Sequence, residues 1–120
     1  VSEDRKLLEL AAKAAGMNVL PQDEQWPRDA VGWFFTARQG DNTLYSNERP
    51  ATWNPLTEDG DALRLAVKLR LHVDHATQDV AVWVIDGTGA RDFEERNDSD
   101  PYAATRRAIV RAAAAIGEAK

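Results

Sequence analysis

Residues 79–85, DVAVWVI, constrain the fold more than any other stretch of the chain. In an extended backbone Val80, Val82 and Val84 point one way, and Ala81, Trp83 and Ile85 point the other. Both sets are apolar, so the strand belongs in the middle of a sheet with cover on both faces. Just before it, Leu71, Val73 and His75 alternate with His72 and Asp74, and Ala76-Thr77-Gln78 turns the chain. These residues predict a β-hairpin. A second hairpin is predicted over 31–46, with Trp33, Phe34, Phe35 and Thr36 outbound, Gln39-Gly40-Asp41-Asn42 turning, and Thr43-Leu44-Tyr45 returning.

Three helices complete the pattern. Residues 2–15 place Leu7, Leu8, Leu10, Ala11, Ala14 and Ala15 on one face and Arg5, Glu9 and Lys13 on the other. Ser2 is placed to cap this helix and Gly16 to stop it. The stretch WNPLTEDGDALRLAVKLRL, 53–71, carries the most apolar helix. Pro55 keeps Asn54 out of the helical region, and Thr57 or Asp59 is the expected cap. Ala62, Leu63, Leu65, Ala66, Val67 and Leu69 cover roughly 200° of its surface, a width that implies more than one packed neighbour. The last helix starts at Asp100-Pro101 and ends at Gly117. Tyr102, Ile109, Val110, Ala113 and Ile116 form its apolar face, with Arg107 and Arg111 opposite and Arg106 on the flank.

Between the hairpins and helices, residues 17–32 read as mostly irregular, with Trp26 anchoring the segment to the core. Residues 47–53 read as a loop in which Trp53 is buried against the following helix. Gly87-Thr88-Gly89 reads as a turn, since it lacks the last glycine of a dinucleotide fingerprint and the helix that should follow. Residues 91–100 are charged and read as an exposed loop. The expected fold is therefore one α+β domain over 1–120. It is an alpha-beta-alpha sandwich with a mostly antiparallel sheet of about four strands and helices on both faces. The first and last helices share one side and the middle helix takes the other.

The segments WNPLTEDGDALRLAVKL and DPYAATRRAIVRAAAAIG resemble the phage ABA (alpha-beta-alpha) sandwich domain family, small phage and prophage proteins related to NinX-like proteins. The likeness is strongest over 53–69 and 100–117 and weaker over 5–16. It implies the sandwich architecture and a phage or prophage accessory role. It carries over no catalytic residue. Leu69-Arg70-Leu71 stands where the family pattern has a glycine after the helix.

The chemistry narrows mostly by exclusion. There is no cysteine, which removes thiol catalysis, disulfides and cysteine-ligated zinc and fits a cytoplasmic setting. A net charge of -5 argues against a general nucleic-acid surface, and no apolar run reaches membrane-span length. Glu58, Asp59 and Asp61 suit the positive end of a helix dipole better than a metal loop. His72 and His75 fall on opposite faces of a strand, so they do not converge on a metal. No cofactor or metal is implied. Arg106, Arg107 and Arg111 are the candidate interaction residues. Arg106 needs a carboxylate or carbonyls if it is buried. Arg107 and Arg111 lie one turn apart among Ala104, Ala108 and Ala114, a small patch suited to an acidic protein surface. Three functions remain: a non-enzymatic accessory protein binding a host or phage protein, a nucleic-acid module using the three arginines, or a small hydrolase or metal enzyme using His72, Asp74 or the carboxylates at 58–61.

Overall fold

The computed structural model describes residues 3–19, 34–36, 42–46, 52–86, 89–98 and 100–119. In chain order these form α1 (Glu3–Ala14), β1 (Phe34–Thr36), β2 (Leu44–Ser46), β3 (Thr52–Trp53), α2 (Asp59–Lys68), β4 (His72–His75), β5 (Asp79–Asp86), β6 (Gly89–Arg96) and α3 (Pro101–Glu118). The single-domain α+β class and the antiparallel pairing are as the sequence leads one to expect. Each expected hairpin, however, has gained a third strand. The strands form two antiparallel sheets, β1-β2-β3 and β4-β5-β6, in place of one sheet of about four.

The two added strands correct two loop assignments. Thr52 and Trp53 pair with Tyr45 and Leu44, so the chain enters α2 from a strand. Residues 91–96 are not a loop: the whole of Gly89–Arg96 pairs with β5, from Asp86↔Gly89 to Asp79↔Arg96. The expected turns at 39–41 and 87–88, together with Trp26 and Trp33, lie outside the described residues.

The molecule is built around α3. Its buried residues Ala104, Ala108, Ile109, Val110, Ala112, Ala113, Ala114 and Gly117 fall on every side of the helix. Small side chains let three neighbours approach it. One core cluster joins Leu8 and Ala11 of α1, Ala62, Leu65 and Ala66 of α2, Val80, Val82 and Val84 of β5, and α3 itself. All three helices therefore lie on the Val80-Val82-Val84 side of the second sheet. The expectation that α2 covers the opposite face is corrected. Trp83, which should have been under such a cover, is 36% exposed. The central position of β5 stands, but it is helix-covered on one face among the described residues.

Helix boundaries follow local chemistry. Asp100 caps α3, accepting from the Ala103 N–H at 3.0 Å, with Pro101 at the first position. Gly117 does not end α3, contrary to the expected stop. The helix runs through to Glu118, and Gly117 sits where α3 crosses α1. α1 does end at Gly16 (φ 81°), with Gly16 N–H donating to Lys13 O and Met17 N–H to Ala12 O, the paired bonds of a Schellman motif. α2 ends the same way: Arg70 N–H donates to Val67 O and Leu71 N–H to Ala66 O. Here a non-glycine residue, Arg70, takes φ 55°. A left-handed conformation costs an L-residue roughly 1–2 kcal/mol. Arg70→Gly should raise stability by about 1 kcal/mol in denaturant melts.

The α2 start is also corrected. Glu58 occupies the cap position without a side-chain cap bond, and the Thr57 hydroxyl bonds back to Asn54 O instead. The wide apolar face of α2 is only partly used. Leu65 is 3% exposed, whereas Leu63 is 64% and Val67 69% exposed. Leu65→Ala should thus cost about 2–4 kcal/mol, from lost burial and the cavity left behind. At low protein concentration Val67→Ala should change the melt by less than about 0.5 kcal/mol.

Candidate functional site

Each of the three candidate arginines on α3 is engaged within the chain. Arg106 Nε donates to Leu56 O at 2.8 Å and its Nη1 to Asp59 Oδ1 at 2.6 Å. This is the carboxylate and carbonyl that a guanidinium on an apolar flank needs. Arg107 Nη1 donates to Asp4 Oδ1 at 3.1 Å, and its Nε lies 3.5 Å from Glu95 Oε1. Arg111 Nη1 donates to Glu95 Oε2 at 2.8 Å and to Glu94 O at 2.9 Å, with its guanidinium 5.8 Å from the Phe93 ring centre. The alanines expected around a flat outer patch, Ala104, Ala108 and Ala114, are all buried. The patch is in fact a seam: Arg107 ties α1 to β6 through α3, and Glu95 is its shared anchor.

The acidic run before α2 is structural in the same sense. Asp61 is buried. Its Oδ2 accepts from Asn54 N–H at 3.0 Å and its Oδ1 from Arg64 Nη2 at 2.6 Å. Asn54 is the hub of this joint. Its Nδ2 donates to Thr43 Oγ1 at 2.9 Å, and its Oδ1 accepts from Leu56 N–H at 3.1 Å. The polar group thereby fixes β2, the turn after β3 and α2 to one another. His72 and His75 do lie on opposite faces of β4. Among the described residues, no group of three or more His, Asp or Glu side chains could hold a metal ion.

With β6 paired to β5, a surface forms that local sequence signals do not reveal. Strand register puts His72, Trp83 and Asp92 in one row on the face away from α3. Asp74, Ala81 and Glu94 form the next row, and Asp79 and Arg96 a third. Asp92 thus stands beside an exposed Trp83, with Asp74 and Glu94 in the adjacent row, while Asp79 lies a further row away opposite Arg96, the one formal cation in these rows among the described residues. The signal in the sequence is the alternation in 89–96, which places Asp92 and Glu94 opposite Arg91, Phe93 and Glu95. It is weak because both sets are charged.

The carboxylates act on one another. Glu94 is held above its ordinary value, first by its hydrogen bond to Asp92, then by the charges of Asp92 and Asp79. A raised carboxyl pKa in the folded chain means that the contribution of this group to stability is full below its unfolded value. It is lost as pH rises through the folded value. In a pH titration followed by side-chain carbon NMR, Glu94 should titrate above an ordinary glutamate. Asp92→Asn should bring it down.

A second surface lies on the helix side. α2, α3 and β4 line an open groove of about 400 Å³ whose apolar lining includes Leu63, Ala66, Val73, Tyr102 and Ile109, together with His75 and Arg106. Tyr102 is exposed. Among the described residues, no helix is long and apolar enough to cross a membrane. No family model matches the chain, and neither a curated protein nor a solved structure matches it.

Proposed function

We propose that this chain is a non-enzymatic accessory protein that binds a protein partner through the outer face of β4-β5-β6. The partner presents a basic segment, rich in arginine or lysine. The observation that carries this reading is the placement of exposed Trp83 beside Asp92 and next to the Asp74 and Glu94 row, on a face with no helix over it among the described residues. A flat aromatic in an acidic surround suits a guanidinium, which can stack on the indole while its fork meets a carboxylate. A basic partner would also relieve the repulsion that raises Glu94. The resemblance to phage and prophage sandwich proteins supports a host or phage protein as partner, met in the bacterial cytoplasm.

The ion pairs on α3 favour a basic partner over the acidic one expected from the arginines alone. Arg106, Arg107 and Arg111 spend their guanidiniums on Asp59, Asp4 and Glu95, which leaves less charge to offer an acidic surface or a phosphate backbone. The nucleic-acid reading loses support for the same reason, and it also needs many phosphate contacts from a chain of net charge -5. The test is fluorescence anisotropy with three labelled probes: an arginine-rich peptide, an acidic peptide of equal length, and random duplex DNA. Binding should be confined to the arginine-rich peptide and fall about tenfold or more with Trp83→Ala. Preference for DNA or the acidic peptide would refute the proposal.

A further inference from the structure

The two edges of the second sheet differ. β6 ends the sheet with Arg91, Asp92, Glu94, Glu95 and Arg96, a density of charge that guards an edge against pairing. β4 ends it with His72, Val73, Asp74 and His75, all exposed and with one acidic side chain. The hydrogen-bond phase of β4 follows from its turn. Ala76 N–H donates to Asp79 O at 2.9 Å, so Ala76 and Asp79 are a bonded pair across a two-residue loop. Bonded pairs alternate along an antiparallel ladder. With the register Asp74↔Ala81 and His72↔Trp83, the backbone groups of His72 and Asp74 turn toward β5. Those of Val73 and His75 turn outward, and no backbone partner meets them among the described residues.

We infer that β4 pairs antiparallel with β4 of a second copy of this chain, joining two three-stranded sheets into one of twice the width. Charge selects the register. If Asp74 met its own mate, two carboxylates would face each other. If Val73 meets its own mate, each His72 stands opposite an Asp74. Val73 and its mate then exchange both backbone bonds, and each His75 N–H reaches the Leu71 carbonyl opposite. The twofold axis of such a pair stands perpendicular to the sheet, so both helix layers fall on the same side of it. α2 leads directly into β4 and lines the groove above it, which brings the two α2 helices toward each other over the seam. This accounts for the exposure of Leu63 and Val67, side chains that α2 leaves unburied within one chain. His72 and Asp74 belong to the outer face, so the seam takes up its β4 margin, while Trp83, Asp92 and Glu94 stand clear of the pairing and stay open to the basic partner proposed above.

Sedimentation of the full chain over a range of concentrations tests this. A reversible monomer–dimer equilibrium is expected. Val73→Pro removes an outward N–H, a change an edge strand tolerates, so it should abolish the dimer while leaving the melt of the dilute chain unchanged. His72→Glu should weaken the dimer about tenfold, and adding Asp74→Lys should restore it, because the new charges meet across the seam. A chain that stays monomeric at every concentration overturns the inference. So does a dimer indifferent to Val73→Pro, or a His72→Glu defect that Asp74→Lys does not repair.

Discussion

Gly117→Ala is expected to destabilise the protein by about 2–3 kcal/mol in spite of the better helix propensity of alanine. A Cβ at this position would stand 1.9 Å from the Leu10 carbonyl oxygen and 2.9 Å from its carbon. Both atoms are backbone, so relief requires α1 to move as a body away from α3. That movement would loosen Leu8 and Ala11, which are fully buried against the same core. Propensity alone would favour alanine by about 1 kcal/mol, and the close crossing outweighs it. Gly60→Ala is the control. There the added carbon meets only the far end of the Arg64 side chain at 3.2 Å, which can swing aside. That change should be neutral or stabilising by up to about 1 kcal/mol. Thermal or denaturant melts of the two variants should therefore move in opposite directions. A Gly117→Ala protein as stable as the parent would contradict the α1–α3 crossing.

Asn54→Ala should cost about 2–3 kcal/mol through a different mechanism, loss of partners in a buried polar joint. Two side-chain bonds disappear, one to Thr43 Oγ1 and one from Leu56 N–H, and the alanine cannot replace either. The bond from the Asn54 N–H to Asp61 survives because it uses the backbone. Asn54→Asp separates donor from acceptor. It keeps an acceptor for Leu56 N–H, removes the donor to Thr43, and sets a second carboxylate near Asp61. Its melt should be worse at neutral pH than under mildly acid conditions, where a carboxyl can hold its proton. Equal stability of both variants and the parent would mean that the joint is not a fixed part of the fold.

The elements legible in the sequence are those whose signals are local. Asp100-Pro101 marks the start of α3, Gly16 ends α1, and the alternation in 79–85 identifies β5. β6 is hidden because its row on the helix side is Arg91, Phe93 and Glu95. Glu95 is acceptable there only because Arg107 and Arg111 reach it from α3. Such a pairing is tertiary and leaves no periodic trace. The breadth of apolar surface on α2 is legible, but periodicity cannot distinguish a face covered by its own chain from one left open, as Leu63 and Val67 are. Gly117 misleads for a related reason: a glycine near a helix end looks like a stop signal unless the crossing helix is known. At the candidate site, the arginines stand out in the sequence, while the carboxylates that occupy them are remote from them. Trp83 is visible as a strand residue, and its acidic neighbours become visible only once β6 is paired.

The outer face of β4-β5-β6 is expected to receive a basic partner, and the most direct measurement is a two-dimensional NMR titration of the full chain with an arginine-rich peptide. The Trp83 indole N–H and the amides of Asp74, Ala81, Asp92 and Glu94 should shift together along one saturable curve, and Asp92→Asn with Glu94→Gln should abolish the shifts. Shifts centred instead on Arg107 and Arg111, or none at all at Trp83, would contradict a partner site on this face.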